Sequence, residues 1–427
     1  MLGTKAKEKY NEFAEFFDRP VWKNRILFYA SIFASIALAF TIIFGLFKLI
    51  FPDFSILTNT AYTQYNITEL DNMGFYDNER YLLSALVQSL AAVIALVITL
   101  SLVAVQLAAQ SYSARVIDVY KKNPDMWILL GIYILTIFYG LGLIKIIGLG
   151  ILSNYMEGAI FVAYFMGFFA FVCLVPYMLK TLDLLKPSTV IKLLAADITK
   201  KKIIDSLNDD GKIEENDPVQ PIIDILSASI EKNDYETARN CLYAIKDSTF
   251  NIFNHFYESG TEDNKVSNQI MLHLECSGMH AVNINNEEML DLIIKCLQAV
   301  GERTIHLKIN KAENVVAIAL QNIGTKASDQ ELQRTVRSTI FALHDMGMKK
   351  LENEVENAYS ILFDAIKEIG IHAIELNIKN GALESVISLK ALNREVAKQN
   401  NKYLIKRVEG NLEQLEAKAK KNNWNFM

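Results

Sequence analysis

Several chemistries are missing from this chain. Its four cysteines, Cys173, Cys241, Cys276 and Cys296, form no CxxC pair, so no disulfide framework is implied and ordinary buried thiols are expected. There is no HExxH, Walker A loop, GxSxG elbow or dinucleotide fingerprint, so nothing supports catalysis or a cofactor. The nearest metal-like set is His273, Cys276 and His280, which share a helical face by spacing. No second cluster accompanies them, and no metal site is expected. A net charge of −5, with no basic stripe interleaved with aromatics, excludes nucleic acid as a partner. The apolar run from Ile26 to Phe51 is too long for a secretory signal and has no clear small-residue cleavage site, so it reads as a retained anchor.

What is abundant is uncharged, apolar sequence. Tyr81 to Ala114 contains no charged side chain. As one straight helix it would reach roughly 51 Å, well beyond the ~20 residues a bilayer core requires. Four runs are long enough to span, at about 26–51, 82–109, 127–152 and 158–181. Lysine and arginine crowd the N-terminal tail, the connection 111–126 and the segment 180–202. The connection 52–80 holds only Arg80, and 153–157 has none. The positive-inside rule then puts both termini in the cytoplasm of a multi-pass cell-membrane protein. Segment 1–25 is an N-terminal piece, and its Tyr10, Phe13, Phe17 and Trp22 suit either a helix on the membrane surface or a polar tail. Residues 26–186 form the membrane domain, and 187–427 a cytoplasmic one.

The second run carries a stripe of small and polar residues. Ser84, Gln88, Ala92, Ala95, Thr99, Val103, Gln106, Gln110 and Ser113 recur three or four apart, on one helical face. Lipid penalises such a face, so it should look at protein or at water. The outer connection 52–80 is acidic through Asp53, Glu69, Asp71, Asp77 and Glu79, which makes it a solvated connector or an electrostatic mouth for cations. Asn66-Ile67-Thr68 is a glycosylation sequon, relevant only in a eukaryotic secretory pathway. Lys145 is the one charge well inside a run. It either snorkels to the interface, as Lys48 does, or pairs with an outer carboxylate or lines an aqueous path. Gly131, Gly140, Gly142, Gly148 and Gly150 in the third run, and Ala159, Ala163 and Gly167 in the fourth, permit close helix packing.

After Pro187 charged helical faces begin, followed by a polar hinge from Asn208 to Pro218. Helical spacing runs from Pro221 to Lys232 and from Asp234 to Phe256. Then Gly278, Gly301, Gly324, Gly347 and Gly370 stand 23 residues apart, with Asn393 next in the series and matching apolar neighbours at each step. Twenty-three residues hold one helix of about 18 residues and a short turn. Two such units match the HEAT and armadillo range, so the helices should stack into an α-solenoid. The glycines are expected where adjacent helices cross closely. The stretch 383–420 reads as one long amphipathic helix that caps the array or packs between subunits.

The segment Ser101-Leu102-Val103-Ala104-Val105-Gln106-Leu107-Ala108-Ala109-Gln110-Ser111-Tyr112-Ser113-Ala114-Arg115-Val116 resembles a run found in a widespread prokaryotic family of predicted integral membrane proteins of unknown function. That run, roughly Ser-Leu-Val-Ala-Leu-Gln-Leu-Ala-Ser-x-x-Phe-Ser-Pro-Arg, follows the family's second crossing. This chain has Ala114 where the family usually has proline, which leaves the helix straighter. Asn216-Asp217-Pro218 is similar to a family Asn-Asp-Pro with different flanks. The resemblance implies several N-terminal crossings followed by a cytoplasmic helical region, and it implies no activity. The 23-residue repeat is not part of it.

The expected fold is all-α, a four-helix transmembrane region followed by a HEAT/armadillo-like solenoid. The expected function is a homo-oligomeric ion channel. Gln88, Ala92, Ala95, Thr99, Val103, Gln106 and Gln110 would line the pore, Lys145 would be the intramembrane charge, and Asp71, Asp77 and Glu79 would sit at the outer mouth. The alternative is a membrane-anchored scaffold or sensor whose solenoid binds a soluble protein partner. A transporter ranks third, since no pair of broken helices or inverted repeat is visible.

Overall fold

The computed structural model describes residues 20–50, 69–111, 124–147, 156–207, 217–260, 262–353, 361–399, 401–422 and 424. These are overwhelmingly helical, and no β-strand element occurs among them. The chain divides into two compact units, one of residues 1–107 and 117–185 and the other of residues 108–116 and 186–427.

The first unit holds Pro20–Ile50 (α1), Glu69–Ser111 (α2), Pro124–Ile147 (α3) and Met156–Leu184 (α4). Three stretches among the described residues are long and apolar enough to cross a membrane: Asp77–Leu107, Pro124–Ile147 and Gly158–Leu184. Helix α1 is 31 residues long and covers the first expected run. One expectation is corrected here. The connection 52–80, expected to be a loop, is helical from Glu69 onward, so α2 runs for 43 residues, or about 65 Å. Trp22 is buried at the start of α1, while Tyr10, Phe13 and Phe17 lie outside the described residues.

Tyr133 of α3 is fully buried in a core with Leu90, Val97, Leu129, Phe169 and Cys173, and a second cluster gathers Leu83, Leu143, Ile160 and Ala163. Two small residues permit this packing. A Cβ on Gly140 would lie 2.7 Å from Val87 Cγ2, and one on Gly167 would lie 2.8 Å from Leu86 Cδ1. Helices α3 and α4 therefore approach α2 where glycine removes the obstacle. Gly131 and Gly142 face open space, and Gly148 and Gly150 lie outside the described residues.

The second unit starts with Pro187–Ala195 (α5) and Lys200–Asp205 (α6), then Gln220–Lys232 (α7) and Tyr235–Ser259 (α8). Regular repeats follow: Asn264–Asn283 (α9), Glu287–His306 (α10), Asn310–Asp329 (α11), Gln333–Glu352 (α12), Ile361–Glu375 (α13), Lys379–Lys398 (α14) and Lys402–Lys421 (α15). The stretch 383–420 is thus two helices rather than one. Each helix from α7 to α13 packs on the next but one, and all of these except α8 also pack on the next, which gives two layers of parallel neighbours.

The connecting turns repeat as well. Asn285, Lys308, Glu331 and Asn377 each adopt a left-handed conformation, with φ of 55°, 56°, 57° and 63°. After each, an amide reaches back five residues, as from Ile309 N to Thr304 O at 2.9 Å and from Leu332 N to Ala327 O at 2.9 Å. These are Schellman closures, which satisfy the last helical carbonyls and turn the chain back. The repeated glycines lie inside the helices instead. A Cβ on Gly278 would lie 2.5 Å from Ile323 Cδ1, and one on Gly324 would lie 2.7 Å from Ile369 Cδ1. The same offset of 45 residues pairs Gly301 with Met346, Gly347 with Leu392 and Gly370 with Leu415. Each glycine receives an apolar knob from the helix two places on, which confirms the expected close crossing.

Helix α15 is the last described helix. Leu404, Val408, Leu415 and Ala419 are buried against α13 and α14, and the opposite face is charged.

Candidate functional site

The striped face of α2 is the feature that the sequence singles out. Along this helix Leu83, Val87, Leu90, Val97 and Ala104 are buried, so the packing seam repeats at heptad-like spacing. Gln88, Ala92, Ala95, Thr99, Val103, Gln106 and Gln110 are all exposed. The stripe therefore points away from the protomer's own helices. Its polar groups bond within the helix: the Thr99 hydroxyl donates to Ala95 O at 2.8 Å, and Gln88 Nε2 to Ser84 Oγ at 3.3 Å. Ser113 lies outside the described residues. Leu96, Leu102 and Leu107 flank the stripe and are equally exposed.

The other expected membrane residues do not converge. Lys145 is exposed, and no carboxylate among the described residues lies within ion-pair distance of it. Asp77 lies 3.8 Å from Arg80 on the same helix, while Glu79 accepts a hydrogen bond from the Tyr164 hydroxyl at 2.9 Å. The side chains of Asp71 and Lys48 lie outside the described residues.

A residue that the sequence reading passed over is better placed. Asp125, in the first turn of α3, is 1% exposed. Its Oδ2 accepts from Lys180 Nζ near the end of α4, and its Oδ1 lies 3.5 Å from Arg25 Nε near the start of α1. One carboxylate ties three helices together at one end of the unit. The signal available in sequence was an acid at a helix N-terminus next to Pro124. Nearby, Ser101 Oγ and the Tyr177 hydroxyl share a hydrogen bond of 2.5 Å between α2 and α4. An apolar cavity of about 360 Å³ lies between α2 and α3, walled by Ile98, Leu102, Val105 and Trp127.

In the second unit, His273 belongs to a buried polar cluster, apart from Cys276 and His280 of the same helix. Its Nε2 lies 2.5 Å from Asp217 Oδ2, and Asp217 Oδ1 accepts from the Val219 amide at 2.9 Å. Burial would raise the Asp217 carboxyl, but hydrogen bonds from His273 and Val219 and the His273 charge outweigh it and hold the group below its ordinary 3.8. Gln269 reaches Ser206 Oγ at 3.4 Å beside them. Cys276 is exposed, and His280 faces Glu231 at 3.5 Å. Among the described residues no group of three or more His, Cys, Asp or Glu is placed to hold a metal ion.

Residues 23–229 match the family described as predicted membrane protein (DUF2254), which takes in the whole segment 101–116 and ends before the glycine repeat. No curated protein and no solved structure matches the chain.

Proposed function

We propose that the chain, which over residues 23–229 matches this family of predicted membrane proteins, assembles as a homo-oligomeric ion channel. In this reading α1 is a fourth crossing, both termini are cytoplasmic, and the repeats form a HEAT/armadillo-like solenoid that joins subunits below the membrane. Helix α2 lines the aqueous path, and the chain needs neither cofactor nor catalytic group. The observation that carries the reading is the exposure of Gln88, Thr99, Gln106 and Gln110 on a face turned away from the protomer core. Exposed amides are costly against hydrocarbon, and a shared axis among several copies removes them from lipid. Neutral polar rings separated by Ala92, Ala95 and Val103 hold ions weakly enough to release them.

The test combines access with flux. Cysteines at positions 95, 99, 103 and 106, in a Cys276→Ser background, should react with membrane-impermeant thiol reagents in reconstituted protein. Thr99→Leu or Gln106→Leu should change liposome ion flux at least severalfold. Complete protection of all four positions, with no flux from purified protein, would sink the channel.

A specific observation favours the second reading, a membrane-anchored scaffold. Tyr243 of α8, Phe341 of α12 and Ile387 of α14 are 53%, 54% and 52% exposed along one layer of the repeats. A soluble protein with an apolar ridge would find anchors there. Co-purification lost in Phe341→Asp, without change in oligomeric state, would support that reading.

A further inference from the structure

The second unit contains a cleft that neither reading uses. Its volume is about 650 Å³, and it lies between α6, the turn before it, and α8. The floor is apolar: Ile198 and Ile252 are each 5% exposed, and Ile204 on the wall is 39% exposed. The rim is cationic. Lys200, Lys201 and Lys202 follow one another in sequence, yet their surroundings differ. Lys202 is spent on Asp197 at 2.5 Å and does not line the cleft. Lys200 and Lys201 both line it, and among the described residues neither lies within ion-pair distance of a carboxylate. The Lys200 ammonium sits 5.0 Å from the centre of the buried Phe256 ring, which holds it in place. His255 and Asn251 add hydrogen-bonding capacity from α8, and Asp205 is the single carboxylate on the wall.

We infer that this cleft binds the phosphate headgroup of an anionic phospholipid, with Lys200 and Lys201 on the phosphate and the apolar floor against the glycerol and first acyl carbons. Two ammonium groups with no carboxylate partner among the described residues, above an isoleucine floor, match an amphiphile better than a bare anion, which would gain nothing from Ile198, Ile204 and Ile252. The chain's own layout favours the same source. Ala195, the first residue of the cleft, follows the end of the last membrane-capable helix at Leu184 by only eleven residues. Basic clusters directly beyond a crossing are where anionic lipid is met. The inference concerns a face of the chain that the channel and scaffold readings leave unassigned, and it stands with either.

The experiment uses the full chain in a neutral detergent, titrated with phosphatidylglycerol, with phosphatidylcholine, and separately with inorganic phosphate. Phosphatidylglycerol should raise the melting temperature saturably, and phosphatidylcholine should not. Lys200→Gln/Lys201→Gln should weaken the apparent affinity at least tenfold, whereas Lys192→Gln/Lys295→Gln, which removes the same charge outside the cleft, should leave it unchanged. Lys201→Glu alone should weaken it as well, which keeps the test alive if the double variant folds poorly. Saturation by millimolar inorganic phosphate, lost in the same double variant, would keep the phosphate site but reassign its source to a soluble ligand and overturn the lipid. Equal loss in both double variants, or no anion dependence, would overturn the site itself.

Discussion

Lys350 donates to Glu313 at 2.6 Å with both side chains almost fully buried, 4% and 3% exposed, between α12 and α11. Neighbouring repeats are apolar at these register positions. Glu313 stands where Leu290 and Val336 stand one repeat away, and Lys350 stands where Ala327 and Ala373 do, all of them buried. Burial pushes the Glu313 carboxyl up, against the pull of the Lys350 ammonium. Lys350→Ala alone should destabilise the chain by about 3–5 kcal/mol, because it strands a buried carboxylate. Glu313→Leu/Lys350→Ala restores the pattern of the adjacent repeats and should be neutral or more stable by about 1–4 kcal/mol. Denaturant melts of the two variants decide; equal losses would show that the pair is not replaceable.

The contact between Gly324 and Ile369 makes a second expectation quantitative. Any side chain at Gly324 meets Ile369 Cδ1 and also lies 3.2 Å from Thr339 Cγ2. Gly324→Leu should destabilise by about 1–3 kcal/mol through overpacking. Gly324→Ala should cost less, and Ile369→Val should relieve part of that cost in the double variant. A double-mutant cycle with no coupling would remove the knob-and-hole account.

Acid should weaken the second unit through Asp217. Its folded pKa lies below the ordinary value of 3.8, so its contribution is present above that value and is lost as pH falls through the folded pKa. Asp364, lowered by hydrogen bonds from Arg407 and Asn411 that outweigh its burial, adds loss of the same sign. Asp217→Asn should cost about 1–3 kcal/mol at neutral pH, and the gap from wild type should close below pH 3.8. A gap that persists unchanged into acid would mean that the carboxylate charge is not what stabilises the cluster.

In the first unit, Asp125 should matter more than either of its cations. Lys180 and Arg25 are 29% and 35% exposed, so each keeps partial solvation when the acid is removed. Asp125→Asn should cost about 1.5–3 kcal/mol, the usual range for a hydrogen bond to a charged group, and Arg25→Gln less. Thermal melts in detergent give the order, and a larger loss in Arg25→Gln would contradict it.

The amino-acid sequence by itself determined what repeats along the chain. The apolar runs give membrane-capable helices, because length and hydropathy are local and lipid requires a closed backbone. The glycine period of 23 residues gives the repeat length, because each helix must bury the same stripe against equivalent neighbours. The tertiary structure alone decided the pairings. Asp125 meets Arg25 and Lys180, Asp217 meets His273, and Glu313 meets Lys350 across 37 or more residues, with no periodicity to announce them. The left-handed turns at Lys308 and Glu331 were equally hidden, since neither residue favours that conformation and only the packed helices on both sides hold it. The direction of the α2 stripe belongs here too. A helical period shows that Gln88, Thr99 and Gln106 share a face, but the neighbours that α3 and α4 place against Leu90 and Val97 determine which way that face points.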